Sequence, residues 1–352
     1  MELFPISILD ITRSDLLCSS PLLDESLLDE SKGHGMRNFR ARRFPAALQA
    51  AALTISLLGG GVFGTGTASA ATAPSKAVSG LRETSSVNKE LRALEASFKG
   101  RIGAYALDTA TGKTIAHRSG ERFPLLSTFK AMASAAALHK ARTSDPGLME
   151  RVVHWTAADL KPNSPVTEKH VKDGLTVAEL CKAAITYSDN TAGNMVLKQI
   201  GGPAGLTRYF RTLKDPISRL DRWESELNDW TPKERRDTTT PASIARDLRK
   251  VTAGDALSAK DRATLNGWLM ANTTGGARIR AGLPKTWTIG DKTGTGSTYG
   301  TANDIAVIWP AKGAAPIIMA IYTNRPATDA AADEKAIADT AAILARGLGR
   351  LS

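Results

Sequence analysis

The sequence predicts an α+β fold in which one sheet is built from both ends of the chain and a helical block is inserted between its strands. A hairpin comes first: Arg101–Thr109 alternates as a strand, residues 110–112 form a turn, and Lys113–Arg118 returns. Three further strand patterns come late in the chain, at Thr286–Thr295, Asp304–Trp309 and Ile317–Tyr322. The part between them, roughly residues 127–270, has helical periodicity. Since strands and helices segregated in this way pack as layers, we expect one sheet with an all-helical insertion.

The helices are predicted from apolar residues at helical spacing. Val87, Leu91, Leu94 and Phe98 define a helix over Val87–Phe98, ahead of the hairpin. The helical block contains Ser127–Ala141, Thr176–Ile185, Thr191–Ile200, Gly205–Leu213, Pro241–Thr252 and Ser258–Ala271. An Ala-rich helix over Asp329–Leu348 closes the chain.

Composition excludes several classes of protein. The chain has 352 residues, 42% hydrophobic and 23% charged, which excludes a disordered or fibrous protein for its bulk. Two cysteines, Cys18 and Cys181, are too few for a disulfide framework, and the five histidines have no ligand spacing, so we expect no metal site. The net charge is +11, but the basic residues are scattered and aromatic residues make up only 5%. This pattern predicts a solvated basic surface and no nucleic-acid partner.

The first seventy residues have the layout of an exported protein. A basic stretch follows Met36, an apolar run extends from Phe44 to about Phe63, and an A-x-A site ends at Ala70. This order predicts a signal peptide over residues 36–70, cleaved near Ala70-Ala71, and a secreted protein, or a periplasmic one if the cell has an outer membrane. The alternative is a retained membrane anchor, which the glycines of the apolar run disfavour, so we expect no stable anchor.

The same region also bears on the translation start, the export route and the segment that follows the signal peptide. Residues 1–35 are acidic and irregular, and we interpret them as an over-extended reading frame that precedes the working start at Met36. Arg42-Arg43 is followed directly by Phe44, an imperfect twin-arginine match, so the sequence leaves Sec and twin-arginine export open. Residues 71–86 are rich in Ala and Ser and are predicted to be a flexible leader.

The segment Ser127-Thr128-Phe129-Lys130 opens a predicted helix and is the first candidate for chemistry. A serine in the first helical turn lies beside free backbone N–H groups and the positive end of the helix dipole, which suit a developing oxyanion. Lys130 comes three residues later, on the same face and within reach of the hydroxyl. Alone, the motif is weak, because serine at a helix start is ordinary capping.

Two more motifs make the set specific. Ser188-Asp189-Asn190 lies between two predicted helices, where such residues commonly form a turn, and Lys292-Thr293-Gly294 ends a predicted strand. In this order and spacing, S-x-x-K, S-D-N and K-T-G are the motif set of class A β-lactamases and penicillin-binding proteins. The chain therefore resembles these two families of serine enzymes.

A fourth set of motifs distinguishes the two families. Arg222–Asn228 and Arg235–Pro241 resemble the two ends of the omega loop of class A serine β-lactamases, and Ser164–His170 resembles another class A segment. The resemblance covers the chain from about residue 71 onwards. It implies a five-stranded antiparallel sheet flanked by helices, in an α/β lobe formed by residues 87–120 and 278–352. It also implies an all-helical lobe over residues 121–277 with the omega loop at 222–237 and a cleft between the lobes, and it implies no cofactor. Nothing in the sequence suggests more than a monomer.

The resemblance also implies roles for individual residues. Ser127 would be the nucleophile, Lys130 its partner in proton transfer, and Ser188 the donor to the departing lactam nitrogen. Glu224 and Asn228 would hold and activate the deacylating water. The residues expected to bind substrate are Asn190, Arg278, Lys292, Thr293, Gly294 and Thr295. The backbone N–H groups of Ser127 and Thr295 would form the oxyanion hole, and Arg222 with Asp237 would clasp the ends of the omega loop. The acylation base could be either Lys130 or Glu224.

Three positions of this chain differ from residues that many members of the family carry. Arg278 would replace the arginine that many relatives carry after K-T-G, where this chain has Thr301; the alternative is a solvated surface arginine. Asn163 occupies the place of an aromatic residue that flanks the substrate in many relatives. Cys181 would be a free buried thiol, since the partner position of an occasional family disulfide is Ser134.

The motifs and the resemblance together predict a secreted enzyme that opens the β-lactam ring of penicillin-type antibiotics through an acyl-Ser127 ester. Water activated by Glu224 would hydrolyse this ester, and the reaction would give antibiotic resistance. One rival is a D-alanyl-D-alanine peptidase or transpeptidase that is acylated by penicillin but releases it slowly, and Glu224 with Leu227-Asn228 disfavours it. Another is a wall-binding protein without catalysis, which would have no use for the full residue set. The substrate spectrum and inhibitor sensitivity cannot be read from the sequence.

Overall fold

The computed structural model describes residues 76–351, with side chains from residue 86. Its strands are β1 (Arg101–Asp108), β2 (Thr114–His117), β3 (Phe123–Pro124), β4 (Val152–Val153), β5 (Leu175–Thr176), β6 (Thr238–Thr239), β7 (Thr288–Thr295), β8 (Ala302–Trp309) and β9 (Ile317–Asn324). Five of them form one antiparallel sheet in the order β2-β1-β9-β8-β7. The predicted sheet from both chain ends is confirmed, because β1 pairs with β9 over its whole length, from Arg101 opposite Asn324 to Asp108 opposite Ile317.

The helices form the remainder of the fold. They are α1 (Lys76–Phe98), α2 (Phe129–Thr143), α3 (Val177–Thr186), α4 (Asn190–Gln199), α5 (Gly202–Thr212), α6 (Pro241–Thr252), α7 (Ala259–Met270) and α8 (Glu334–Gly347). None of the helices in the described range is both long and apolar enough to cross a bilayer.

Both faces of the sheet are covered, as the strand periodicity requires. Successive side chains of a strand point to opposite faces, so Ile305 and Val307 of β8 join the core shared with the helical lobe. Ala306 and Ile308, between and after them, join the second core under α1 and α8. This double burial explains why β8 and β9 contain unbroken apolar runs, residues 305–309 and 317–322, instead of an alternating pattern.

Helix α2 is the centre of the helical lobe. Every residue from Phe129 to Leu138 is buried, and four of the six residues from Ala131 to Ala136 are alanine. Small side chains let the neighbouring helices α3 and α4 approach it closely, in a core that includes Leu180 and Met195. The helix that begins just after Ser127 is therefore held rigidly on all sides.

Helix boundaries agree with the prediction to within three residues except at the starts of the first and last helices. The last helix begins at Glu334 and not at the predicted Asp329, because Asp333 caps it. Pro241–Thr252 is confirmed to the residue, since Thr240 caps the helix and proline starts it. The first helix begins at Lys76, whereas a flexible leader was predicted up to residue 86; that prediction is wrong for residues 76–86. Apolar periodicity begins only at Val87, and the serines, threonine and glycine of the preceding segment have low helix propensity, so no local pattern indicated that the helix starts at Lys76. The predictions for residues 1–70 lie outside the described residues.

Candidate active site

A cleft of about 420 Å³ brings together side chains from both lobes. The omega loop, α2, the turn before α4 and strand β7 all contribute to it. Its lining residues are Ser127, Asn163, Tyr187, Ser188, Asn190, Asn228, Thr274, Arg278, Thr293, Thr295 and Glu334. The cleft therefore contains most of the residues that the sequence motifs single out.

Ser127 and Lys130 lie at the entrance to α2. A 3₁₀ turn over Leu126–Thr128 leads into the helix, so Lys130 follows Ser127 by one turn. Lys130 Nζ donates to Ser127 Oγ at 2.9 Å, to Asn190 Oδ1 at 2.6 Å and to the carbonyl of Ser188 at 2.8 Å. The Lys130 side chain is fully buried, and this burial lowers its pKa from the usual range, against the opposing effect of the Glu224 carboxylate.

Glu224 lies against this pair. Its Oε1 is 3.0 Å from Lys130 Nζ and accepts a hydrogen bond of 3.2 Å from Ser127 Oγ, while Asn228 Nδ2 donates to Oε2 at 2.7 Å. Asn194 of α4 holds the Glu224 backbone, because its Oδ1 accepts from the N–H at 2.9 Å and its Nδ2 donates to the carbonyl at 2.8 Å. The peptide bond from Glu224 to Ser225 is cis. The carboxylate is thus fixed at both its backbone and its side chain.

The S-D-N turn and the K-T-G strand meet on the other side of the cleft. Lys292 Nζ donates to Ser188 Oγ at 3.0 Å and to the carbonyl of Thr293 at 2.8 Å. Burial, followed by the positive charge of Lys130, brings the pKa of Lys292 well below its usual value. Asp189 caps α4 by accepting from the N–H of Ala192 at 2.8 Å. Ser188 therefore lies between two buried lysines, with the turn fixed by its neighbour.

Strand β7 lies close against the turn that bears Ser127, and Gly294 makes this possible. A Cβ at Gly294 would come within 2.9 Å of Leu126 Cβ and 3.3 Å of Ser127 N. The glycine therefore permits an approach that another residue would obstruct. Next to it, Thr293 Oγ1 is 2.5 Å from Thr274 Oγ1. This close approach brings the end of β7, with Thr295, alongside the Ser127 backbone.

Arg278 is buried at the end of the cleft, with only 3% of its surface exposed. Nη1 donates at 2.8 Å to the carbonyls of Gly294 and Asn303, and Nη2 donates at 2.6 Å to Thr295 Oγ1. Nε donates to Glu334 at 3.2 Å. The alternative of a solvated surface arginine is therefore excluded, and every guanidinium nitrogen already has a protein acceptor.

The ends of the omega loop are tied by Arg222 and Asp237. The fully buried Asp237 carboxylate accepts from Arg222 Nε at 2.6 Å, from Arg222 N at 2.9 Å and from Asp221 N at 2.7 Å. The carbonyl of Asp237 accepts from Leu125 N at 2.7 Å, two residues before Ser127. The loop that carries Glu224 is thus anchored next to the start of α2.

Comparison with known proteins agrees with this geometry. A sequence model described as the beta-lactamase enzyme family matches residues 86–348, well over half of the chain. The chain belongs to this family. Beta-lactamase AST-1 of Nocardia asteroides is 50% identical to this β-lactamase over 256 residues, which are 73% of this chain and 82% of the relative.

Solved structures place the β-lactamase in class A. The crystal structure of a beta-lactamase from Streptosporangium roseum is 77% identical, with a TM-score of 0.75, and the match covers 76% of this chain and 100% of that one. A class A beta-lactamase described as the last common ancestor of Gram-negative bacteria (GNCA4) is 50% identical with a TM-score of 0.71, covering 75% and 99%. As a member of class A, this enzyme hydrolyses the β-lactam ring through a serine acyl-enzyme, which confers antibiotic resistance.

The sequence motifs missed several residues of the β-lactamase cleft. Asn194 follows Asn190 by four residues on α4, a spacing that predicts the same helix face and could have indicated it. Thr274 and Glu334 come from segments without a motif, and only the packing of α7 and α8 brings them to the cleft. Tyr187 precedes the S-D-N turn and lines the cleft with an exposed ring.

Proposed function

We propose that Ser127 is the nucleophile of the acylation step and that Lys130 and Glu224 control its proton. The observation that carries this assignment is the triangle formed by Ser127 Oγ, Lys130 Nζ and Glu224 Oε1, whose sides are 2.9, 3.0 and 3.2 Å. Lys130 donates to Ser127 Oγ, so the hydroxyl hydrogen is directed to Glu224. This arrangement favours Glu224 as the proton acceptor, with Lys130 stabilising the oxygen that attacks the lactam carbonyl.

Ser188 is proposed to protonate the leaving nitrogen. Lys292 donates to Ser188 Oγ, so the hydroxyl hydrogen of Ser188 is free to point into the cleft. When the lactam C–N bond breaks, the nitrogen takes this proton, and Ser188 regains one from the two lysines beside it. The proton that Glu224 took from Ser127 passes to Lys130, whose Nζ is 3.0 Å from Glu224 Oε1, and restores the charge of the lysine pair. Glu224 is thereby a carboxylate again before deacylation. Two buried lysines with lowered pKa values suit this relay, because a cation that is less strongly favoured gives up its proton more readily.

Deacylation is proposed to use a water held by Glu224 and Asn228. Asn228 Nδ2 donates to Glu224 Oε2, and among the described residues its Oδ1 has no hydrogen-bond partner although it is buried. A water between the two side chains would donate one hydrogen to Glu224 and the other to Asn228 Oδ1. Glu224 removes the first proton as the water oxygen attacks the ester carbonyl. When the C–O bond to Ser127 breaks, this proton passes from Glu224 to Ser127 Oγ, which lies 3.2 Å from Glu224 Oε1.

The oxyanion hole is proposed to consist of the backbone N–H groups of Ser127 and Thr295. The close approach of β7 to the turn at Leu126 supports this, because it sets the two backbones side by side. Donors fixed in advance stabilise the tetrahedral oxyanion without reorganisation.

The substrate carboxylate is proposed to bind the hydroxyls of Thr293 and Thr295, near the charge of Lys292. Arg278 Nη2 donates to Thr295 Oγ1, so the hydrogen of that hydroxyl must point elsewhere and is available to the carboxylate. Because its nitrogens all have protein acceptors, Arg278 acts through the orientation of Thr295 and through its charge instead of a direct bond. Asn190 is proposed to hold the acylamino side chain.

We also propose that the enzyme is exported and acts as a monomer on β-lactams. The signal-peptide pattern of residues 36–70 supports cleavage near Ala70-Ala71. The mature enzyme would then consist of an α/β lobe (87–120 and 278–352) and a helical lobe (121–277). Secreted protein should therefore begin at Ala71 by N-terminal sequencing and elute as a monomer in size-exclusion chromatography. A retained leader would contradict the export proposal.

The residue roles are tested with excess benzylpenicillin. The wild-type enzyme should open many equivalents of the ring, and Ser127→Ala should open none. Glu224→Gln should form a covalent adduct on Ser127 more slowly than the wild type and then retain it, detected by intact mass and peptide mapping. The variant lacks the base proposed for both steps, and only acylation has Lys130 beside Ser127 Oγ as a second proton acceptor. An adduct on another residue, or continued turnover by Ser127→Ala, would contradict the assignment of the nucleophile.

A further inference from the structure

Tyr187 is an exposed aromatic side chain in an otherwise polar cleft. Among the described residues, the exposed large hydrophobic side chains are Val152, Tyr187, Trp223 and Met270. Of these only Tyr187, 45% exposed, lines the cleft. The other lining residues are serines, threonines, asparagines, one arginine and one glutamate. The Tyr187 ring is therefore the apolar surface that the cleft offers to a ligand.

The backbone of Tyr187 is fixed next to the proposed chemistry. Tyr187 ends α3, where its N–H donates to the carbonyl of Ala183 at 3.1 Å. The next residue, Ser188, has a φ of 57°, and its carbonyl accepts from Lys130 Nζ at 2.8 Å. The ring thus projects from a rigid segment whose next side chain contacts Lys292, and its position relative to the reacting atoms is set in advance.

Asn163, which occupies the place of an aromatic residue in many relatives, is hydrogen-bonded to the S-D-N turn. Its Nδ2 donates to the carbonyl of Ser188 at 3.3 Å, and its own carbonyl accepts from Asn190 N at 3.0 Å. Asn163 therefore braces the S-D-N turn and provides no ring. Tyr187 lies beside the same turn and can contact a group held by Asn190.

We propose that Tyr187 is a specificity-determining residue whose ring packs against the aryl side chain of a β-lactam substrate. The inference rests on the proposed function, in which Asn190 holds the acylamino group. An aryl group is attracted to a tyrosine ring both by burial of apolar surface and by stacking. A substrate that lacks the acyl side chain gains neither, so Tyr187 separates substrates by that group and not by the lactam ring.

The test compares benzylpenicillin with 6-aminopenicillanic acid, which has the same bicyclic nucleus without the phenylacetyl group. Tyr187→Ala should lower kcat/KM for benzylpenicillin about tenfold, equivalent to ~1.4 kcal/mol, and should change that for 6-aminopenicillanic acid less than twofold. Tyr187→Phe should retain the wild-type ratio between the substrates. The matched control is Val152→Ala, an exposed apolar residue outside the cleft, which should leave both substrates unaffected.

Two outcomes would overturn the proposal. No change in the ratio would show that the ring makes no contact with the aryl group, and an equal fall for both substrates would show that Tyr187 acts only on the S-D-N turn. If Tyr187→Ala does not fold by circular dichroism, Tyr187→Gln makes the same comparison with a long side chain. Failure of the proposed function is distinct, since Ser127→Ala would then still hydrolyse 6-aminopenicillanic acid.

Discussion

Replacing Asp237 by alanine tests how the omega loop serves the second half of the reaction. The carboxylate is fully buried and accepts three hydrogen bonds, two from Arg222 and one from the N–H of Asp221. Its removal leaves the guanidinium of Arg222, only 19% exposed, without its counter-ion. Removing one partner of a buried ion pair costs about 3–5 kcal/mol, and the partial exposure of Arg222 favours the lower end, about 3 kcal/mol.

The loss should appear chiefly in deacylation. A rise of ~1.4 kcal/mol in the activation free energy lowers a rate constant about tenfold. If the whole loss of ~3 kcal/mol raised the deacylation barrier, the deacylation rate constant would fall by about 100-fold. Deacylation, as proposed, needs Glu224 and Asn228 together, and both belong to the loop. Ser127 and Lys130 are held by α2 and Asn190 outside the loop, so acylation should fall less.

Rapid-quench mass spectrometry measures the two steps separately. With benzylpenicillin, Asp237→Ala should accumulate acyl-enzyme in the steady state to a far higher fraction than the wild type. The control is Asp261→Ala, which removes the bidentate partner of Arg142 in the helical lobe and should lower stability without accumulation. A deacylation rate constant within twofold of the wild type, in a variant whose melting temperature is lowered, would refute the reasoning.

Three further changes have defined outcomes. Asn194→Ala should slow deacylation and lower stability by about 1–3 kcal/mol, because it leaves the buried N–H and carbonyl of Glu224 unpaired; unchanged acyl-enzyme levels would contradict this. Burial raises the pKa of Asp247 to about 9, so the folded state keeps a proton that the unfolded chain loses near pH 4, and stability falls as pH rises between these values. Asp247→Asn should therefore raise the melting temperature more at pH 8 than at pH 5, and an equal shift at both would refute the assignment. Burial raises the pKa of the Cys181 thiol to about 12, so iodoacetamide at pH 8 should modify Cys181 only after denaturation, as peptide mapping would reveal.

Much of the fold and of the candidate site could be predicted because the relevant signals are local. Thr240 and Pro241 mark a helix start by capping and by a fixed φ, and the boundary of α6 follows. Ser127 and Lys130 are separated by one helical turn, so their contact needs no tertiary information. The pairing of S-D-N with K-T-G was inferred from their joint occurrence, and the contact between Ser188 and Lys292 agrees with it.

The remainder depends on packing that no local pattern encodes. Glu334 reaches Arg278 from 56 residues away, because α8 packs against the turn at Ile279–Gly282 that directly follows Arg278. The acceptors that bind the Arg278 guanidinium likewise come from three separate segments, namely β7, β8 and the start of α8. Tyr187 could not be distinguished from a core aromatic residue by spacing, since α3 ends there and its exposure depends on how the turn leaves the helix.

The pairing of β1 with β9 determines when this protein can fold. The two strands are far apart in sequence: Thr109 Oγ1, just after β1, donates at 2.6 Å to the carbonyl of Pro316, 207 residues later and just before β9. In the sheet, β9 lies between β1 and β8. Until β9 has left the ribosome, each of these two strands therefore lacks one of its neighbours. The central sheet therefore closes only after β9 has been synthesised, and a chain truncated before β9 would leave two strand edges open to pairing with other molecules.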